Sequence, residues 1–156
     1  MENNTADKKM QGRIATIDEL LEKDCYIIDF LPETVSKDSN GQFFDVEDYW
    51  LNSQKYHMIK DKLVCVILKL MCYYHILAFW NGWVDKPKPE WIENAVAEIM
   101  VNHSGTLYCA FPEENMLLIF DRDCLHLSVY HPPEKAQRLL EQIAFSEGLF
   151  WRKAET

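Results

Sequence analysis

The pairs Cys72-x-x-His75 and Cys124-x-His126, with His131 close behind, carry the thiol and imidazole ligand types that suit zinc. Their spacings argue against a metal site. On a strand, Cys72 and His75 point to opposite faces because side chains alternate, whereas Cys124 and His126 share a face. On a helix the first pair would share a face instead. Zinc sites of the usual kind use two compact pairs, and this chain offers one imperfect pair and one unusually tight one. The expectation is no metal, with cysteines in the core and histidines partly exposed. A cysteine nucleophile with a histidine base needs an exposed thiol of lowered pKa. Cys25, Cys65, Cys72, Cys109 and Cys124 all sit among apolar neighbours instead, and a GxSxG serine motif is absent.

Carboxylates come next. Asp29 interrupts the run CYIIDFL and shares strand parity with Cys25, Ile27 and Leu31. Buried there, it must be paired or hydrogen-bonded. It could act as a functional acid, face solvent through a twist, or end the strand early. Asp121 and Asp123 flank Arg122 in a turn-like segment, where aspartate commonly bonds nearby amides. Asp29, His75 and His126 are the polar groups available to a pocket beside the central strand. Neither GxxxxGK[ST] nor GxGxxG occurs, and only five glycines are present. Common nucleotide-dependent chemistry is therefore disfavoured, and no cofactor is expected.

The aromatic residues point toward binding rather than catalysis. Trp80-Asn81-Gly82-Trp83 places two indoles around a turn signal, followed by Asp85. Trp and Tyr are typical anchors of protein interfaces, and they are equally typical of cores. Trp83, Trp80 and Asp85 are the candidate partner-binding residues, with Trp83 in the turn and Trp80 closer to the core.

The elements that must position these groups are organised around Leu63–Trp80, LVCVILKLMCYYHILAFW, whose only full charge is Lys69. A membrane-spanning helix needs about 20 largely apolar residues, and Lys69, His75, Tyr73 and Tyr74 suit that role poorly. Val46, Tyr49, Ser53, Tyr56, Leu63, Val66 and Leu70 recur at helical spacing. The pattern predicts a long helix from Phe44 or Asp45, broken near Asn52-Ser53, feeding a central strand over Met71–Trp80.

Met1–Gly12 is polar and reads as a flexible tail, leaving residues 13–156 as one domain. Thr16-Ile17-Asp18-Glu19 matches a capping box before a short helix to about Lys23. Cys25–Leu31 reads as a strand ended by Pro32, and Glu33–Gln42 as a mobile loop. Pro89 opens a helix with Trp91, Ile92, Ala95, Val96, Ile99 and Met100 on one side. Thr106–Phe111, Met116–Phe120 and Cys124–Tyr130 form an antiparallel meander. Pro132-Pro133 then opens a helix closed by Gly148, and Leu149–Trp151 docks back as an edge strand. The fold class expected is α+β: a mainly antiparallel sheet of about five strands with helices packed on it, including a C-terminal β-meander followed by a helix.

The 156 residues carry a net charge of −9, with 25 acidic against 16 basic side chains. That balance opposes binding to nucleic-acid phosphates and to anionic membranes, and it suits a basic protein partner. Five dispersed cysteines without a CxxC pair predict free thiols in a reducing cytoplasm. The reading is a non-catalytic interaction module, such as a small acidic regulator, inhibitor or immunity-like protein. The alternative is a small-molecule-binding protein or enzyme with a pocket beside the central strand.

Overall fold

A computed structural model describes residues 17–122 and 125–154. The described chain runs α1 (residues 17–20), β1 (Cys25–Asp29), α2 (Phe43–Asn52), α3 (Tyr56–Met71), β2 (Leu77–Phe79), β3 (Trp83–Asp85), α4 (Pro89–Asn102), β4 (Thr106–Phe111), β5 (Met116–Asp121), β6 (His126–Tyr130), α5 (Glu134–Ser146) and β7 (Phe150–Lys153). All seven strands join one antiparallel sheet in the order β3-β2-β4-β5-β6-β1-β7.

The α+β class with an antiparallel sheet is what the sequence pattern implies, but the sheet has seven strands rather than about five. The end of the fold also differs from a meander closed by a helix, since after α5 the chain re-enters the sheet as β7, the edge strand expected around Leu149–Trp151. Gly148, with a φ of 75°, makes that reversal possible. The amide of Leu149 donates to the carbonyl of Ala144 at 2.9 Å, which closes the helix end. Phe150–Lys153 then pairs with β1, bringing Trp151 opposite Ile28 and stacking it on Tyr26 at 5.0 Å.

The long helix does break after Asn52, where Ser53 takes an extended conformation. The central strand over Met71–Trp80 is a larger correction. α3 continues to Met71, and residues 72–76 form a turn and connection. Only Leu77–Phe79 pairs as β2, next to the sheet edge. Leu63, Val66, Ile67 and Leu70 bury one face of α3, and that burial carries the helix to Met71. Asn81 (φ 57°) and Gly82 (φ 139°) take the chain into the left-handed region, so β2 must end at Phe79. The sheet's middle position belongs to β5. Elsewhere, β1 ends at Asp29 rather than Leu31, and β6 begins at His126. The Thr16 capping box, Cys124 and the Met1–Gly12 tail lie outside the described residues.

The core fills one face of the sheet. Ile28, Ala78, Leu107, Cys109, Phe111, Met116, Leu118, Phe120, Leu127 and Val129 point to this side. α3, α4 and α5 cover them with Ile67, Leu70, Ile92, Ile99, Leu140 and Ile143, among others. The buried Lys60 on α3 reaches Glu93 on α4 at 3.4 Å and Asp61 at 3.5 Å, so its ammonium is compensated. No described helix is long and apolar enough to cross a membrane.

Candidate functional site

The opposite face of the sheet carries the alternate residues of the same strands. Leu77 and Phe79 of β2, Trp83 of β3, Tyr108 and Ala110 of β4, Leu117 and Ile119 of β5, and Tyr130 of β6 share it. Among the described residues, the cover over this aromatic part of the face comes from the α1 region. Ile17 and Leu20 bury themselves against Ala110 and Leu117, with Trp83, Tyr108, Ile119 and Tyr130 half-buried around them. Phe79 meets Trp83 at 5.1 Å and Tyr108 at 6.2 Å between ring centres. These three rings form an aromatic strip beside a shallow cavity of about 220 Å³, completed by Ile17, Asp18 and Leu21.

The two tryptophans of the Trp80–Trp83 segment part company. The amide of Trp80 donates to the carbonyl of Gly82 at 3.0 Å, turning the chain. Trp80 packs on the helical side, edge-on to Trp91 at 5.9 Å. Trp83 opens β3 and lies on the other face. The turn itself is Asn81-Gly82, so Trp83 is half-buried within a strand rather than displayed in the turn. Asp85 turns instead toward His75, whose Nε2 contacts its Oδ1.

His75 makes a second contact through Nδ1, 3.1 Å from Glu113 Oε1. A carboxylate on each ring nitrogen favours the imidazolium, and both contacts raise the pKa above the ordinary 6.5, Asp85 contributing most. Because the two carboxylates sit on opposite ring nitrogens, the arrangement clamps the β2–β3 edge to the β4–β5 turn. It does not converge on a common point. Cys72 is exposed and directs its Sγ to the carbonyl of Leu68 at 3.5 Å. Among the described residues, no group of three or more His, Cys, Asp and Glu side chains is placed to hold one metal ion. Cys25, Cys65, Cys72 and Cys109 are free thiols, and burial raises the Cys109 pKa strongly.

Asp29 and His126 do meet. They are register partners across β1 and β6. Asp29 is buried and fully engaged: Oδ1 accepts the amide of Phe30 at 2.7 Å, and Oδ2 accepts Nη2 of Arg152 at 2.9 Å. Arg152 also donates from Nη1 to Thr34 Oγ1 at 2.6 Å, and its Nε is buried without a hydrogen-bond partner. His126 stands beside this pair. Burial pushes its pKa below 6.5, Arg152 adds to that, and Asp29 opposes it without reversing it. Ile27, Leu31, Val35 and Phe43 help to enclose a cavity of about 350 Å³ against these polar groups. His75 is several strands away, so one polar pocket holding Asp29, His75 and His126 together does not form.

Searches of family models, curated proteins and solved structures return no match for this chain.

Sequence reasoning missed Arg152, Phe79 and Tyr108. Arg152 lies in FWRK, where only a β1–β7 pairing reveals its carboxylate partner. Tyr108 alternates with Leu107 and Cys109, and that parity was the available signal for a second apolar face.

Proposed function

We propose that this protein is a non-catalytic interaction module that receives a protein partner on the second face of its sheet. The observation that carries this reading is the unequal cover of the two faces. One is sealed by α3, α4 and α5, while the other leaves Phe79, Trp83, Tyr108, Ile119 and Tyr130 half-buried beneath α1 alone among the described elements. Partly exposed aromatic side chains, held rigid by cross-strand neighbours, are suited to anchoring an interface at small entropic cost. The net charge of −9 favours a basic partner over nucleic acid or an anionic membrane. A regulator, inhibitor or immunity-like protein of the reducing cytoplasm fits these features, the dispersed cysteines included.

The test is parallel affinity capture from the source cell with the wild-type protein and with Trp83→Ala, followed by titration of the captured partner. The expected result is one captured protein whose affinity falls by about 2 kcal/mol or more in the variant, as at interface hot spots. Equal affinity in both would remove the second sheet face from the interface.

One observation favours a second reading. Asp29, Arg152, His126 and Thr34 converge on a cavity of about 350 Å³ that also has apolar walls, which is the general form of a small-molecule site. A small ligand that raises the melting temperature of the wild type but not of His126→Ala would support it.

A further inference from the structure

We infer that α2 is a second interaction surface, separate from the sheet face, and that it fits an arginine-rich segment of a partner. The inner side of α2 is Phe43, Glu47, Trp50 and Leu51, which are wholly or partly buried. The outer side is Phe44, Asp45, Val46, Asp48, Tyr49 and Asn52, all exposed. Phe44 keeps 79% of its surface in water, Tyr49 49% and Val46 42%. For an aromatic residue on a short helix, such exposure forgoes most of the burial that would stabilise the fold.

Helical spacing puts Asp48 one turn beyond Phe44 and Tyr49 one turn beyond Asp45. The two carboxylates thus lie in the middle of the outer face, with an aromatic ring on either flank. The helix carries Asp45, Glu47 and Asp48 and no basic residue. Asp45 accepts a hydrogen bond from the Gln42 amide at 3.2 Å, and Asp48 one from the Asn52 amide at 2.5 Å. Both partners are neutral, and no lysine or arginine among the described residues neutralises either carboxylate. The helix dipole accounts for an acid in the first turn. It accounts for neither Asp48 nor the two exposed rings.

A guanidinium answers both features. Its edge donates hydrogen bonds to a carboxylate and its plane stacks on an aromatic ring, whereas an ammonium lacks that planar fork. The overall charge of −9 would draw such a segment in.

The experiment is fluorescence anisotropy with labelled peptides alternating arginine and leucine, lysine and leucine, or glutamate and leucine. The wild-type chain should bind the arginine peptide, bind the lysine peptide several-fold more weakly, and ignore the glutamate peptide. Asp45→Asn with Asp48→Asn should weaken arginine-peptide binding about tenfold, and Phe44→Ser with Tyr49→Ser should do likewise. Glu134→Gln with Glu141→Gln on α5 removes the same charge elsewhere and should change little. Trp83→Ala should also leave peptide binding intact, so failure of the sheet-face reading and failure of this one remain distinguishable. Equal loss from the α5 variants would show mere net charge and overturn the inference. So would unchanged binding in either α2 variant, or a wild-type dimer that Phe44→Ser with Tyr49→Ser dissolves, since the face would then serve a second copy of the chain.

Discussion

The two faces of this sheet are built from the same strands and are covered to different depths. On β5, Met116, Leu118 and Phe120 face three helices, and Leu117 and Ile119 face the thin layer around α1. Both sets are apolar. What separates them is the depth of the layer above: Leu118 has no exposed surface, while Ile119 keeps part of its own. Hydrophobicity alone therefore does not mark a core position. A half-covered apolar face contributes less stability per residue and stays available for contact with other molecules.

The sharpest way to break this comparison is to truncate neighbours on β5. Leu118→Ala should cost about 3–5 kcal/mol, the range of cavity-forming core changes. Ile119→Ala should cost roughly half as much or less, because the site is partly open to water. Urea denaturation of both variants gives the answer, and equal losses would erase the distinction between the faces.

Trp80 and Trp83 repeat the comparison at smaller scale. Trp80→Ala, which empties the contact with Trp91 on the helical side, should cost about 2–4 kcal/mol. Trp83→Ala should cost less than about 1.5 kcal/mol, as its ring rests on Phe79 at the open face. Thermal melts would reverse the assignment if Trp83 proved the costlier loss.

Asp29→Ala probes the polar end of the open face. It would strand Arg152, whose side chain is only 16% exposed, with the bond to Thr34 and without its carboxylate partner. A loss of about 2 kcal/mol is expected, with Asp29→Ala and Arg152→Met together costing less than the sum of the two single changes. Additive losses in a double-mutant cycle would mean that the pair is not coupled.

The smallest effects come from the two histidines, and they have opposite signs. His75 has its pKa raised in the folded protein, so its stabilisation is fully present below 6.5 and lost as pH climbs through the higher folded value. Its partners are largely exposed, which keeps the effect under about 1 kcal/mol. His126 has its pKa lowered, so stability falls as pH drops from 6.5 toward the lower folded value. Urea midpoints taken across this range should lose the alkaline decline in His75→Gln and part of the acid decline in His126→Gln. Identical profiles for the two variants would contradict the environments described above.

Much of the fold was legible in the sequence because the signals were local. Pro89 and the stripe from Ile92 to Met100 define α4, and the breaks at residues 112–115 and near Asp121 separate the meander strands. The strand expected past Met71 does not form there, although Tyr73 and Tyr74 favour strands by type. They lie instead in the exit from α3, where the backbone N–H groups of both residues donate hydrogen bonds to the carbonyl of Leu70. The uniformly apolar MLLIF of β5 hid the existence of two faces, since alternation is invisible when both sides are apolar. At the candidate site, the need for an Asp29 partner was evident. Its identity was not, because Arg152 lies 123 residues away and no local rule joins them.

That separation has a consequence for the order in which the chain is made. β1 is an early strand, yet its neighbours in the sheet are β6 and β7, the last two. While the ribosome is still producing α3 and α4, β1 has neither edge paired and Asp29 has no guanidinium to meet. Closing so large a loop is slow and entropically costly, and such topologies fold late rather than progressively. Until β6 and β7 emerge, the segment CYIID has none of its sheet partners, and unpaired apolar segments of this kind are what make incomplete chains prone to aggregate.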